Sequence, residues 1–222
     1  MNISIVLPVH NEESKVLQVL KDLLKAKFNV VVVDDGSTDN SKLKILNAKL
    51  RNVKLLEHKI NLGKGAALKT GCEYAFSHGA DAVIMMDSDG QHLVSDLPMF
   101  VEKLETEKFD VVLGSRNLNM GVPLVRYLGN KMASVIVSTL YGIYVSDLIS
   151  GFRAITKKAY KKIKWESTGY GVETEMIIRL KKENLAYCEI PVATIYYDGY
   201  KGVSILDSFG VFMNLFYWKL KK

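Results

Sequence analysis

Asp87 and Asp89 stand two residues apart just after the apolar run Ala82 to Met86, so two carboxylates leave one predicted buried strand together. Paired hard oxygen ligands of this kind suit Mg²⁺ or Mn²⁺, which keep coordination positions open for water and substrate phosphate. Gln91 can add an amide oxygen to that set. A turn capped by its own Asp side chains is the plain alternative for an isolated Asp-x-Asp. Cations accompany this one, however. Of 30 lysines and arginines only five are Arg, and Arg116, Arg126 and Arg153 all fall in the segment expected to face the acidic turn. An Arg fork grips phosphate oxygens bidentately where Lys offers a point charge, so this placement points to phosphate recognition. Arg51 and Arg179 lie in predicted helices and read as solvated surface.

The elements that must position these groups follow from the apolar pattern. Five β-branched runs, Ile3 to Val9, Asn29 to Val33, Val53 to Glu57, Asp81 to Met86 and Asp110 to Gly114, read as buried strands. Segments of helical spacing separate them, such as Val16, Leu17, Leu20, Leu23 and Leu24. Alternating strand and helix predicts a mainly parallel, Rossmann-like sheet flanked by helices, whose ligands bind beyond the carboxyl ends of the strands. Each run does end in a polar cluster: Pro8-Val9-His10-Asn11-Glu12-Glu13, Asp34-Asp35-Gly36-Ser37-Thr38-Asp39, Asn61-Leu62-Gly63-Lys64-Gly65, Asp87-Ser88-Asp89-Gly90-Gln91-His92 and Gly114-Ser115-Arg116. Shared placement on one sheet edge makes a common site the expectation. Beyond Ser115 the alternation lapses into a helix around Leu128 to Tyr144, a short strand near Phe152 to Ile155, a helix over Glu173 to Asn184, a strand over Tyr187 to Tyr197 and a helix over Ile205 to Trp218. We take residues 1–222 as one domain, in which 1–115 carries the strand-end clusters, 116–202 supplies one wall of the site and 203–222 is an amphipathic end.

Several functions are disfavoured. No Gly-x-Gly-x-x-Gly follows the first strand, so a dinucleotide fold is not expected. Gly63-Lys64-Gly65 lacks the upstream Gly and the Ser or Thr of a Walker loop, and reads either as an anion-steering loop or as a flexible helix start. Cys72 and Cys188 have no metal-ligand spacing and are expected reduced, in a cytosol. The N-terminus lacks signal-peptide features, and no apolar stretch reaches the roughly 20 residues of a transmembrane helix. The net charge of +6 comes mostly from scattered Lys, and no reader motif for nucleic acid is present.

Together with Asp147-Leu148-Ile149-Ser150-Gly151-Phe152-Arg153, these clusters resemble glycosyltransferase family 2, in particular the dolichol-phosphate mannose synthase and polyprenyl-phosphate glycosyltransferase group. The resemblance spans about residues 3 to 200 and rests on the order and spacing of the motifs. It implies a GT-A fold and transfer of a sugar, mannose or glucose, from a GDP- or UDP-linked donor to a polyprenyl or dolichyl phosphate at the cytoplasmic membrane face. Carried over by motif, Pro8, His10, Glu12, Val33, Asp35 and Ser88 would line the nucleotide-sugar pocket. Asp87, Asp89 and Gln91 would hold the metal, Arg116 and Arg126 would meet phosphates, and Lys201 would be a further phosphate ligand. His10 stands where mannose synthases often carry Tyr.

The chemistry expected of such a site is charge stabilisation on a departing diphosphate by a divalent ion and Arg partners. A lipid phosphate is already anionic at neutral pH, so its attack needs little base; the expected outcome is a single displacement with inversion. Asp89, Arg116 and Asp147 are the groups we expect at the reacting centre. A hydroxyl acceptor would instead need a base, for which Asp147, Glu173 and Glu175 are candidates; Asp147 equally suits a loop anchor, and the two glutamates a solvated helix start. Two other classes compete. Met85-Met86-Asp87-Ser88-Asp89-Gly90 also resembles the opening of haloacid-dehalogenase-type phosphatases, although Gln91 replaces their Thr. A non-catalytic membrane adaptor rests on the segment Val203 to Lys222, whose aromatic body and basic end suit either an anionic membrane interface or packing on the core or a second subunit.

Overall fold

A computed structural model of the chain describes residues 1–116, 124–193, 195, 215, 218 and 219, with 124–126 described by backbone alone. In chain order the elements are β1 (Ile3–Val9), α1 (Val16–Lys25), β2 (Asn29–Asp35), α2 (Ser41–Asn47), β3 (Val53–His58), α3 (Lys64–Ser77) and β4 (Ala82–Met85). A 3₁₀ turn at Val94–Asp96 then leads into α4 (Leu97–Glu105), β5 (Val111–Arg116), α5 (Leu124–Tyr141), β6 (Arg153–Thr156), α6 (Lys157–Ile163), α7 (Val172–Lys182) and β7 (Tyr187–Val192).

The seven strands form one sheet in the order β3-β2-β1-β4-β6-β5-β7. All neighbours are parallel except β6, which runs antiparallel to both β4 and β5. The expected mainly parallel α/β sheet is therefore present, and strands from the second half of the chain complete it. Both faces are covered. On one, Val6, Val31, Val33 and Met85 pack with α3, α6 and α7 around Trp165; on the other, Ile5, Leu7, Val30, Val32 and Ile84 pack against α1 and α4. Burial on both sides explains why β2 reads Val-Val-Val-Val without alternation. In α1 the residues at helical spacing, Val16, Val19, Leu20 and Leu23, are the buried ones; each such side chain contributes roughly 1.5–3 kcal/mol.

Two topological facts position the site. Strand order reverses direction at β1, with β2 on one side and β4 on the other, and the β1–β4 pairing stops at Val6–Met85, two residues before Pro8. The carboxyl ends at such a switch point are the usual ligand position in open α/β sheets. Because β6 is antiparallel, it begins where its neighbours end: Arg153 pairs with Met85 of β4 and Leu113 of β5. The loop entering β6, residues 147–152, is thereby delivered to the same edge.

Boundaries differ from the expectation in instructive ways. β2 continues through Asp35 and β3 through His58, since register with the central strand carries the ladder past the last apolar residue. α5 starts four residues earlier than expected and ends at Tyr141 because Gly142 adopts φ 70°, a helix-stop conformation that glycine takes without penalty. The Lys-rich α6 escaped the reading; Thr156 caps it, its side chain accepting from the Ala159 N–H. The expected strand over Tyr187 to Tyr197 is β7, ending at Val192. Of the helix expected over Ile205 to Trp218, most lies outside the described residues; Leu215 is buried in the core and Lys219 donates to the Leu140 carbonyl. No helix among the described residues is long and apolar enough to cross a membrane. Cys72 and Cys188 are unpaired.

Candidate active site

The β1 and β2 ends form one wall. Asn11 Oδ1 accepts the Thr38 and Asp39 N–H groups, and Asn61 Oδ1 accepts the Gly63 N–H. Both amide orientations are therefore determined, and both NH₂ groups face His10 Nε2, at 3.3 and 3.1 Å. His10 Nε2 accepts, so Nδ1 carries the proton and donates to the Asp35 carbonyl at 2.8 Å. His10 thus enters the wall in one defined tautomer. Ser88 donates to the Pro8 carbonyl at 2.8 Å, tying the β4 exit to the β1 exit. The Glu12 N–H donates to Ser41 Oγ at the start of α2.

Asp35 is not an open ligand. Its buried carboxylate lies 2.7 Å from His58 Nδ1 and accepts the N–H groups of Leu62 and Gly63, so it holds the loop that starts α3. Val33 is wholly buried in the core, which leaves only its backbone near the site. Asp34, by contrast, is buried with Oδ1 lacking a hydrogen-bond partner.

The β4 exit carries the acidic turn. Asp87 Oδ1 lies 2.6 Å from Lys64 Nζ, and the same ammonium lies 2.8 Å from Glu173 Oε1. Burial works against ionised Asp87, but Lys64 outweighs it and holds the carboxyl down at about 2. Asp89 moves the other way: burial first, then the charge of Asp87, push it up to about 6. Its Oδ1 accepts the Gln91 N–H at 2.9 Å. Gln91 is buried, and its side-chain Nε2 has no partner. His92, which the sequence reading passed over, accepts the Asp87 N–H on Nδ1 and stacks on Phe152, ring centroids 4.7 Å apart. Burial lowers its imidazole to about 4, so it supports the turn as a neutral ring.

A divalent ion would meet Asp87 and Asp89 as its carboxylate ligands. Among the described residues no group of three or more His, Cys, Asp and Glu side chains is arranged to hold a metal. Two carboxylates, one destabilised by the other, are nonetheless a donor set suited to Mg²⁺ or Mn²⁺, ions that draw their remaining oxygens from water and phosphate.

The arginines divide. Arg116, at the end of β5, donates through Nε and Nη2 to the two oxygens of Asp147, at 2.6 and 2.8 Å, and Asn130 of α5 donates to the same carboxylate. Burial opposes ionised Asp147, but these donors, Arg116 foremost, lower its pKa. Arg153 does not face the acidic turn as a phosphate ligand. It is buried, donating to the carbonyls of Ser150, Leu148 and Glu173, so it clamps the β6 loop to α7. The side chain of Arg126 and all of Lys201 lie outside the described residues.

Glu173 and Glu175 are buried rather than solvated. Glu175 accepts the N–H groups of Glu166 and Ser167, and Arg179, expected at the free surface, is its ion-pair partner at 2.7 Å. A helix start that faces a neighbouring loop, instead of solvent, explains both. Lys64, read as part of an anion-steering loop, and Glu173, read as a candidate base, were each singled out, but their pairing was not expected. Lys64 did stand in a strand-end cluster, which was a usable signal; nothing local marks the depth of Glu173.

Comparison with known proteins agrees with this geometry. The model of Glycosyl transferase family 2 matches residues 4–164. An uncharacterised protein of Methanocaldococcus jannaschii is 36% identical over 98% of this chain and 92% of its own. A UDP-N-acetylglucosamine–dolichyl-phosphate N-acetylglucosaminyltransferase of Methanococcus voltae is 32% identical over 99% and 97%. Among solved structures, glucosyl-3-phosphoglycerate synthase from Mycobacterium tuberculosis shares the fold with a TM-score of 0.73 at 19% identity, over 98% of this chain and 79% of that one. Mannosyl-3-phosphoglycerate synthase from Rubrobacter xylanophilus does so with 0.70 at 20%, over 97% and 73%. An acidic turn at the β1–β4 switch point and this match across most of the chain place the protein in glycosyltransferase family 2, with a GT-A fold.

Proposed function

We propose that the protein transfers a sugar from a UDP-linked donor to a polyprenyl or dolichyl phosphate, with inversion at the anomeric carbon. The observation that carries this reading is the state of the three candidate bases. Asp147 is held by Arg116 and Asn130, Glu173 by Lys64, and Glu175 by two backbone N–H groups and Arg179. Carboxylates so engaged turn their oxygens to these partners and not to an acceptor, so a hydroxyl nucleophile finds no base positioned for it among the three. A phosphate acceptor arrives ionised and needs none. The names of relatives support the same class: the Methanococcus voltae enzyme acts on dolichyl phosphate, and a Trichomonas vaginalis relative, 28% identical, is a dolichyl-phosphate β-glucosyltransferase.

Asp87 and Asp89 would hold Mg²⁺ or Mn²⁺, which when bound would supply charge neutralisation for the departing diphosphate; the Mycobacterium tuberculosis protein that shares the fold was solved with Mn²⁺ and UDP-glucose. The chain's own residues do the rest. His10 and the Asp35-held loop shape the nucleoside wall, and Asp147 orients the Arg116 guanidinium at the carboxyl edge. Glucose or N-acetylglucosamine, as in these relatives, is favoured over mannose, and UDP over GDP. The phosphatase alternative gains nothing: Asp87, its required nucleophile, is paired with Lys64 and follows the fourth strand rather than the first.

Residence at the cytoplasmic membrane face belongs to this proposal. Supporting it, α5 turns Leu128, Met132 and Val135 outward, 54, 64 and 56% exposed, while Asn130 of the same helix reaches Asp147. The α5 sequence contains Arg126 and Lys131 and no acidic residue, as suits an anionic interface.

The deciding experiment incubates the enzyme with UDP-N-acetylglucosamine, UDP-glucose and GDP-mannose, polyprenyl phosphate and Mn²⁺, and reads the product by NMR. A β-linked lipid product from a UDP donor is expected. A retained α-linkage would overturn the displacement, and release of inorganic phosphate alone would overturn the transfer.

A further inference from the structure

Lys64 occupies an unusual position for a lysine. Its side chain is 18% exposed, and its ammonium bridges Asp87 and Glu173 at 2.6 and 2.8 Å. Burial disfavours that charge, yet the two carboxylates more than compensate and hold its pKa above the ordinary lysine range. The surroundings are fitted to the bridge. A Cβ on Gly151 would come to 2.7 Å from both Lys64 Nζ and Asp87 Oδ2, so glycine at this position leaves the bridge undisturbed. Arg153 fixes the Glu173 carbonyl from the other side.

A divalent ion at Asp87 would have to share that carboxylate with the Lys64 ammonium. The carboxylate keeps lone pairs beyond the one turned to Lys64, but a second positive ion brought to it is repelled by the first at so short a range. A diphosphate changes the balance, because it offers the ammonium anionic oxygens of its own. Resting on the donor reading above, we propose that Lys64 is a resident counter-cation that competes with the divalent ion for Asp87 and yields it when nucleotide diphosphate arrives. Cation and nucleotide then bind with positive coupling, each raising the affinity of the other by the same factor.

Calorimetric or electron paramagnetic resonance titration of the full chain with Mn²⁺, with and without saturating UDP, tests this. In the wild type UDP should tighten Mn²⁺ binding at least tenfold. Lys64→Gln and Lys64→Met should each bind Mn²⁺ without nucleotide at least tenfold more tightly than wild type, and the enhancement by UDP should shrink. In an Asp87→Asn background the gain from Lys64→Gln should vanish. Circular dichroism verifies folding, and the rise in Tm on adding Mn²⁺ alone, larger in the Lys64 variants, reads the same competition where they are too unstable to titrate. If UDP promotes Mn²⁺ binding in the wild type but neither Lys64 variant gains affinity or thermal shift, the competition is wrong while the donor reading stands. If the wild type binds neither UDP nor GDP with Mn²⁺, both fall.

Discussion

Arg153 and Arg116 are both close to the acidic turn, yet they do opposite work. Arg153 donates from each of its three guanidinium nitrogens to a backbone carbonyl, and charge-assisted bonds of that kind contribute roughly 1.5–3 kcal/mol each. Arg153→Met is therefore expected to lower unfolding free energy by about 3 kcal/mol or more in urea, while nucleotide affinity of the folded fraction changes less than threefold. A large loss of affinity without loss of stability would show that the clamp has been misassigned. For Arg116 the partner is the informative residue. Asp147→Asn leaves the guanidinium without its counter-charge, and breaking a buried pair from one side costs about 3–5 kcal/mol. Because the pKa of Asp147 is depressed in the fold, its contribution is complete above the unfolded value of about 3.9 and disappears as pH falls through the lower folded value. The stability gap between wild type and Asp147→Asn should thus be full at pH 7 and narrow below pH 4, measured by urea midpoints across that range.

At the scale of elements, α5 has two faces with different obligations. Asn130 and the buried Ser134 face the protein, whereas Leu128, Met132 and Val135 follow at spacings of four and three on the outer face. Exposed apolar groups gathered on one face call for an interaction. Replacing all three by Ser should leave Tm within a few degrees, since none is buried, and should reduce flotation with anionic liposomes by at least half. Undiminished flotation would remove α5 from the membrane contact. The β6 loop shows how an element can be legible while its purpose is not. A short strand near Phe152 to Ile155 followed from apolarity, but its antiparallel direction did not, and that direction is what brings Gly151 against Asp87 and Arg153 under Glu173.

Across the whole molecule, one sheet joins two apolar cores, and the second half of the chain is needed to complete it. β5 pairs with β6 and β7 and has no other neighbour, and β4 has β6 on its outer edge. A fragment ending at residue 116 would carry β5 with no partner strand and one face of the sheet without α6 and α7. It is expected to be insoluble or unfolded by circular dichroism, whereas the full chain should melt in one transition; a stable, monomeric fragment would reveal an independent nucleotide-binding unit. The sequence by itself determined the strand–helix alternation, the mainly parallel sheet and the edge on which polar residues collect, because burial on both faces writes continuous β-branched runs and strand ends write Asp, Gly and Asn. It also held the Asp87 and Asp89 pair, whose proximity is local. Which charges neutralise one another was decided only in three dimensions. Lys64 and Glu173 lie 109 residues apart, and Arg116 and Asp147, 31 residues apart, are brought together from either side of α5. Pairing over such distances depends on strand order and on the depth of burial, and neither leaves a periodic trace in the chain.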